Sequence, residues 1–307
     1  MGIQTTRYLR GGALLAFAGA LVLSPVFGAQ KDAPKPVPKA APAKAATAKA
    51  PAPAAPETPV PEFAGAEFGW QAAGADFLQP ESGPGPVKDV PGHEHVGNGQ
   101  GGQPSFRMAD ISNPILKPWV VEALQRTNAS IASGGKGGFT PQVSCIPQGV
   151  PAFLLYPAQP VFFVQTPKEV LMTWQPDHMT RHVYMNVEHS ANPRPSWHGE
   201  SVGRYDGDEL VVDTIGITEK TFVDNFRTPH TSKLHVVERY KIAADGKSMD
   251  VDVTVDDPGA FNMPWKARQH YRRVEGGAMT ESSCAESANN FLNYDIDPIP
   301  QADRPDF

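Results

Sequence analysis

The fold of this chain is decided by residues 197–216, which read WHGESVGRYDGDELVVDTIG. Two runs of strand-like composition flank the dipeptide Asp206-Gly207, which favours a tight two-residue hairpin. Gly207 can adopt the positive φ that a type I′ turn requires, and Asp206 tolerates it. We therefore predict a β-hairpin formed by residues 201–205 and 208–214. Because the stretch carries more polar side chains than a hairpin needs, it is also the first candidate for a functional surface.

Strand-like patterns continue on both sides of this hairpin, as short apolar runs between prolines or as strict apolar–polar alternation. They cover residues 152–156, 161–165, 169–174, 182–188, 234–242, 249–256, 266–274 and, last, 279–284. A short helix on the N-terminal side is predicted from Pro118 and the helical spacing of Val120, Val121 and Leu124. About eight to ten strands joined mostly by short turns predict an all-β antiparallel meander closed into a lipocalin-like barrel, with a β-sandwich as the alternative.

Composition divides the chain into four segments. Residues 1–29 have a basic start, an uncharged apolar run and small residues at the end, which is the pattern of a cleaved export signal. The alternative is a retained membrane anchor; a cleaved signal implies a periplasmic or secreted protein without membrane insertion. Residues 30–61 are rich in Ala, Pro and Lys and predict a disordered tether. Residues 62–103 predict irregular loop, and residues 104–307 the β-rich globular domain.

Charge and cysteine content narrow the function classes. The chain has 27 Lys and Arg against 33 Asp and Glu, a net charge of −6, which gives no footprint for nucleic acid or for an anionic membrane surface. The two cysteines, Cys145 and Cys284, predict one disulfide in an exported protein. Two free thiols or a redox pair are the alternatives. No sequence pattern identifies a cofactor.

Two carboxylates lie on otherwise apolar strand faces. Glu238 shares its face with Leu234, Val236, Tyr240 and Ile242, and Asp213 shares its face with Val211 and Ile215. A carboxylate that faces an interior must be paired or protonated, because burying a lone charge is costly. Glu238 is therefore either half of an internal salt bridge, with Arg204 or Arg239 as partner, or a general acid–base or ligand anchor. Asp213 is either a structural hydrogen-bonding group or part of the same site.

Four histidines are candidates for chemistry. His198 and His235 could serve an enzyme together with Glu238 and Asp213. Ser201 follows His198 closely, but residues 199–203 form a strand start rather than a nucleophile elbow, which argues against a serine hydrolase. His178 and His182 are four residues apart and form a weak candidate metal site, since they precede a strand and lack the helical geometry that makes this spacing useful.

Aromatic residues spread over the predicted strands could line a cavity or simply fill the core. The candidate ligand-binding residues are Trp197, Arg204, Tyr205, Tyr240 and Tyr184.

Residues 197–214 resemble a motif of a family of exported bacterial proteins of uncharacterised activity. The motif reads Trp-x-Gly-x-Ser-x-Gly-x-Tyr-x-Gly-Asp-x-Leu-Val-Val-Asp-Thr. Further matching pieces are Cys145-x-Pro-x-Gly149-x-Pro151, Glu238-Arg239-Tyr240, Pro264-Trp265, and Cys284 followed by Glu286. The resemblance covers roughly residues 105–290 and implies the limits of the domain, but no activity or cofactor.

Three functions remain open on the sequence. The first is a periplasmic β-barrel protein that binds a small, mainly apolar ligand. The second is an enzyme, a lyase, isomerase or hydrolase, that uses a carboxylate–histidine site in the same barrel. The third is a metal-binding or envelope scaffold protein.

Overall fold

A computed structural model describes residues 60–65, 67–93, 107–133, 141, 145–157, 159–174, 179–275 and 279. The predicted export signal, the tether up to residue 59 and nearly all of the predicted strand at 279–284 lie outside these residues. Cys284 also lies outside them, so the disulfide with Cys145 stays a prediction. Among the described residues, no helix combines the length and the apolar composition needed to cross a membrane.

Nine strands form a closed barrel in chain order. They are β1 Phe68–Ala72, β2 Val161–Gln165, β3 Glu169–Trp174, β4 Thr180–Met185, β5 Glu200–Asp206, β6 Glu209–Ile215, β7 His235–Ile242, β8 Ser248–Asp256 and β9 Trp265–Glu275. The closed barrel is confirmed, and the sandwich alternative is wrong. Apolar and polar residues alternate along the strands, so that each strand has an inner and an outer face. β8, for example, buries Met249, Val251, Val253 and Val255 and turns its acidic residues outward.

β1 closes the barrel, although it comes from the segment 62–103 that the sequence predicts as irregular. It pairs with β9 along its whole length, from Phe68 opposite Glu275 to Ala72 opposite Tyr271. With β2 it shares a single register position, Trp70 opposite Val161. A five-residue strand flanked by glycines carries too short an alternation pattern to be recognised in the sequence. Its strand conformation is evident only from its pairing with β2 and β9.

One connection departs from a meander. β4 and β5 are parallel, with Val183 opposite Ser201 and Met185 opposite Gly203, whereas all other neighbouring strands are antiparallel. Asn186, with φ of 58°, follows β4. Residues 186–199, here called the crossover, then return along the outer wall to the start of β5. A parallel connection needs about a dozen residues or more, and this segment supplies that length. The strand predicted over residues 182–188 is therefore shorter at its end than predicted, since β4 stops at Met185.

The predicted β5–β6 hairpin forms, but its turn differs from the prediction. Asp206 is paired with Glu209, so the two turn residues are Gly207 and Asp208. Only Gly207 has positive φ, at 64°. Glycine at the first central position is the requirement of a type II′ turn, so the predicted type I′ turn is wrong.

The two ends of the barrel differ. The hairpin end carries the short turns that follow β5 and β7, and there Phe63 enters the barrel and stacks on Phe163, with ring centroids 5.7 Å apart. The Gln165 side chain holds this N-terminal segment by accepting from the Phe63 and Ala64 amides at 2.7 and 2.9 Å. The loop end, where β4 and β5 begin, carries the long connections.

A buried 3-10 helix, Ala152–Leu155, covers the loop end. The Tyr271 hydroxyl donates to the Leu154 carbonyl at 2.9 Å and fixes it there. The strand predicted at 152–156 is wrong, because four consecutive buried residues between Pro151 and Pro157 cannot alternate between two faces.

The predicted helix is confirmed as α1, Pro118–Ala132, which begins at the predicted proline. It buries Val120 and Leu124. The Trp119 indole donates to the Gly259 carbonyl at 2.8 Å, which attaches the helix to the β8–β9 connection.

The parallel pair leaves no room for a side chain at Gly203. A Cβ there would lie 2.7 Å from Val183 Cγ1 and 2.9 Å from Met185 Sδ, both on the interior of β4. We therefore expect Gly203→Ala to lower the free energy of unfolding by about 1–3 kcal/mol through overpacking. The control is Gly74→Ala, where a Cβ would meet nothing within 4 Å. Urea denaturation measures both variants, and equal midpoints would contradict this packing.

Candidate functional site

Glu238 faces the interior of the barrel and is fully buried, as predicted. Its partner is Arg181 of β4, also buried, whose Nη1 and Nη2 donate to the two carboxylate oxygens at 3.0 and 2.5 Å. The predicted partners Arg204 and Arg239 point outward, because alternation places them on the opposite face of β5 and β7. Arg239 instead binds Glu209 on the outer wall, at 2.7 Å.

Three further side chains complete what we call the interior network. Arg181 Nε donates to the Ser201 hydroxyl at 3.1 Å, and Nη2 donates to the Thr214 hydroxyl at 2.8 Å. The Tyr240 hydroxyl donates to Glu238 Oε1 at 2.9 Å. Ser201 and Thr214 are also hydrogen-bonded to each other, at 2.9 Å. Both Glu238 oxygens are thus engaged by donors from the protein itself, which makes Glu238 a structural group rather than a general acid or base.

The charges in this network stabilise one another. Burial acts to lower the pKa of Arg181, but the Glu238 carboxylate outweighs it and the pKa lies above its usual value. Burial, together with the Glu238 charge, raises the pKa of Tyr240 well above its usual value, so its hydroxyl keeps its proton and donates. Ser201 is a member of this network, and its hydroxyl partners are Arg181 and Thr214.

The loop end places aromatic rings above the interior network. The Phe153 ring lies over the Arg181 guanidinium, whose central carbon is 5.0 Å from the ring centroid. The centroids of the Phe153 and His198 rings are 6.3 Å apart. Met172 of β3 lies opposite Arg181, and Trp174 faces the interior two residues further along the same strand. The Trp174 ring packs edge-on against Tyr156, with ring centroids 4.5 Å apart.

His198 is a polar side chain at this end. Burial, followed by the positive charges of Arg181 and His182, lowers the pKa of His198 to about 3. Its imidazole is therefore neutral at physiological pH. None of the hydrogen bonds found among the described residues involves this ring, and the residue keeps partial access to solvent.

Asp213 does not face the interior, and that prediction is wrong. Its side chain is 31% exposed on the outer wall, where Oδ1 lies 2.9 Å from Nε2 of both His189 and His235. The other ring nitrogen of His189 lies 3.1 Å from Glu200 Oε1. We call His189, Glu200, Asp213 and His235 the outer-wall cluster.

Hydrogen bonding sets the charges of this cluster. Burial acts to raise the pKa of Asp213, but the hydrogen bonds from His235 and His189 outweigh it and the pKa lies below its usual value. The hydrogen bond to Asp213 raises the pKa of His235. A hydrogen bond from the Ser190 hydroxyl lowers the pKa of Glu200. The cluster thus favours ionised carboxylates and a protonated His235 imidazole.

The four predicted catalytic residues are not brought together. Glu238 lies inside the barrel, His198 at the loop end, and Asp213 and His235 on the outer wall. The enzyme hypothesis, which needs them at one site in the barrel, loses its geometric basis.

The predicted ligand-binding residues are also dispersed. Trp197 is half-buried beside His198 in the crossover, and Arg204 is exposed on the outer wall. Tyr205 points inward at the hairpin end, where its hydroxyl accepts from Gln165 at 2.8 Å. Tyr240 belongs to the interior network, and Tyr184 is 48% exposed on the outer wall.

The predicted metal site is not tested, because His178 lies outside the described residues. His182 lies on the outer wall and contacts Glu169, with Nδ1 2.5 Å from Oε1. Within the described ranges, no three His, Cys, Asp or Glu side chains are placed to hold a metal ion.

Sequence reasoning missed Arg181, Phe153, His189 and Glu200. A signal for Arg181 exists, since it shares the face of Val183 and Met185 in the alternating run of β4. A cation on one apolar face and a carboxylate on another predict a buried pair. For His189 no comparable signal exists, because it lies in a loop and meets its partners only through the path of the crossover.

A separate cleft of about 400 Å³ lies among loop residues outside the nine strands. It is formed by the segments 79–88 and 110–115 together with Met263, and it contains none of the predicted site residues.

The buried pair predicts a specific pattern of stabilities. Arg181→Met should lower the free energy of unfolding by about 3–5 kcal/mol, because it leaves the buried Glu238 carboxylate without its cation. Glu238→Met should lower the free energy of unfolding by a similar amount, because it leaves the buried Arg181 guanidinium without its carboxylate. The double variant should be less destabilised than either single variant, and Arg268→Ala, which breaks an exposed pair with Asp252, should cost at most about 1 kcal/mol. Additive losses in chemical denaturation would contradict the account.

His198 predicts a pH effect. Since the pKa falls from 6.5 in the unfolded chain to about 3 in the folded one, lowering the pH through this range protonates the unfolded chain first and removes stability. One pKa unit corresponds to about 1.4 kcal/mol, so between pH 7 and pH 4 His198→Gln should gain about 2 kcal/mol or more relative to the native protein. Denaturation at both pH values measures this difference, and His198→Leu should give the same gain. Parallel stability curves for native protein and variants would contradict it.

The chain was compared with protein-family models, with curated proteins and with solved structures, and none of them matches it. The resemblance to the family of exported bacterial proteins therefore stays a prediction.

Proposed function

We propose that this protein is an exported binding protein for a small, mainly apolar molecule, which it takes up at the loop end of the barrel. A closed barrel with short turns at one end and long connections at the other is an architecture in which ligands enter at a mouth. At the hairpin end, Phe63 and the segment held by Gln165 occupy the interior. The loop end, which the 3-10 helix Ala152–Leu155 covers, is therefore where we place the ligand, in contact with that helix.

The observation that carries the proposal is the arrangement of Phe153 and His198 above the interior network. Arg181 is neutralised by Glu238 and covered by Phe153, so this end offers aromatic surface rather than a free charge. Trp174 and Tyr156 add a second aromatic pair. A neutral imidazole among such rings can donate or accept one hydrogen bond, which suits an apolar molecule that carries one uncharged polar group.

Export forms the second part of the proposal. It rests on the basic start, apolar run and small residues of residues 1–29. A periplasmic or secreted location is also the setting in which a disulfide between Cys145 and Cys284 would persist.

The uncharged fluorophore 1-aminoanthracene provides the binding test. The full mature chain should bind it saturably at one site with increased emission. Phe153→Leu should weaken the affinity about five-fold, because it removes an aromatic contact worth about 0.5–1.5 kcal/mol while keeping most of the side-chain volume.

The matched control is Tyr184→Leu, which removes an exposed ring from the outer wall. It should bind the fluorophore as the native protein does. Non-saturable binding, or equal weakening by both variants, would exclude the loop end as the binding site.

A further inference from the structure

The crossover is attached to the barrel wall through His189. Its Nδ1 lies 3.1 Å from Glu200 Oε1 on β5, and its Nε2 lies 2.9 Å from Asp213 Oδ1 on β6. Ser190, the next residue, donates its amide and its hydroxyl to Glu200, both at 2.7 Å. One short segment thus reaches two strands by four polar contacts.

Both nitrogens of His189 face carboxylate oxygens. An ionised carboxylate only accepts, and a neutral imidazole carries a proton on one nitrogen only. The ring can therefore satisfy both contacts only as an imidazolium. Loss of one proton leaves two lone pairs facing each other at Glu200 or at Asp213.

The charged groups around His189 are mostly acidic. Glu200 and Asp213 are the two carboxylates in contact, and Glu188 precedes it as an exposed acid. The cation on the other side is His235, which donates to the same Asp213 oxygen and lies opposite Asp256 of β8. Glu200, Asp213 and Asp256 lie on β5, β6 and β8, and together with Glu188 they outnumber the one cation beside them, His235.

We infer that the outer-wall cluster is a pH-dependent clamp on the crossover, closed when His189 is doubly protonated and released as it loses a proton. The clamp matters because β4 and β5 share only three register positions, from Val183–Ser201 to Met185–Gly203. Further attachment comes from Ser196, whose amide donates to the Gly216 carbonyl at 3.1 Å and whose carbonyl accepts from the Thr218 amide at 2.9 Å. At the start of the crossover, the Asn186 amide donates to the Gly203 carbonyl at 2.7 Å. His198 lies in the same crossover, so release of the clamp loosens the segment that carries this imidazole.

The Ser190 amide reports the clamp, since it donates to Glu200 only while the crossover is in place. Hydrogen exchange of this amide, corrected for the intrinsic pH dependence, is measured by NMR at about pH 5.5 and pH 8.5 on the full chain without ligand. We expect protection to fall about ten-fold at the higher pH. Nitrogen-15 shifts of His189 should show two protonated ring nitrogens at the lower pH.

Two variants separate the clamp from other titrations. In His189→Gln, the side chain has a single amide group and cannot donate to Glu200 and Asp213 from opposite sides of a ring. The Ser190 amide of this variant should therefore show low protection at both pH values. His182→Gln changes a histidine on the same wall that contacts Glu169 instead, and it should behave as the native protein. Protection that does not change with pH, or that changes equally in His189→Gln, would overturn the inference. The experiment needs no ligand, so it is independent of the binding proposal.

Discussion

The ion pair between Arg181 and Glu238 is the interaction on which the rest of this barrel depends. Arg181 belongs to β4, and its guanidinium reaches Ser201 on β5, Thr214 on β6 and Glu238 on β7. One side chain therefore joins four consecutive strands across the interior. These four include the parallel pair β4 and β5, which share only three register positions; of the neighbouring strands in the barrel, only β1 and β2 share fewer. A buried pair is a poor source of stability compared with apolar packing, but separating its partners leaves a lone buried charge, so this strand arrangement is the one that keeps both charges paired.

This pair also decides where chemistry can take place. Since the polar groups of the interior network bind one another, this network offers no free acid, base or charge to a ligand. The titratable groups outside the network that could take part in chemistry lie in two places, the loop end and the outer wall. At the loop end, burial and positive neighbours hold the His198 imidazole neutral among aromatic rings. On the outer wall, carboxylates attract protons to His235 and leave Asp213 ionised.

Much of this wall is predictable from residue alternation. The ranges of β2 and β3 agree with the sequence prediction, and the Glu238 side chain points inward as its apolar neighbours indicate. Asp213 fails the same test because β6 buries Leu210, Val211 and Val212 in succession, so that apolar neighbours no longer identify the inner face. Contacts between distant segments are beyond such reasoning. β1 exists only through its partners, and the outer-wall cluster exists only because the crossover returns past β5 and β6.

The most direct test of the central claim is the hydrogen exchange of the Arg181 guanidinium protons, measured by NMR in the native protein. A guanidinium that is fully buried and bonded to Glu238, Ser201 and Thr214 should exchange its Nη and Nε protons orders of magnitude more slowly than the exposed guanidinium of Arg268. Exchange at the rate of Arg268 would mean that water reaches the interior network, and the account of a closed, self-satisfied barrel core would be wrong.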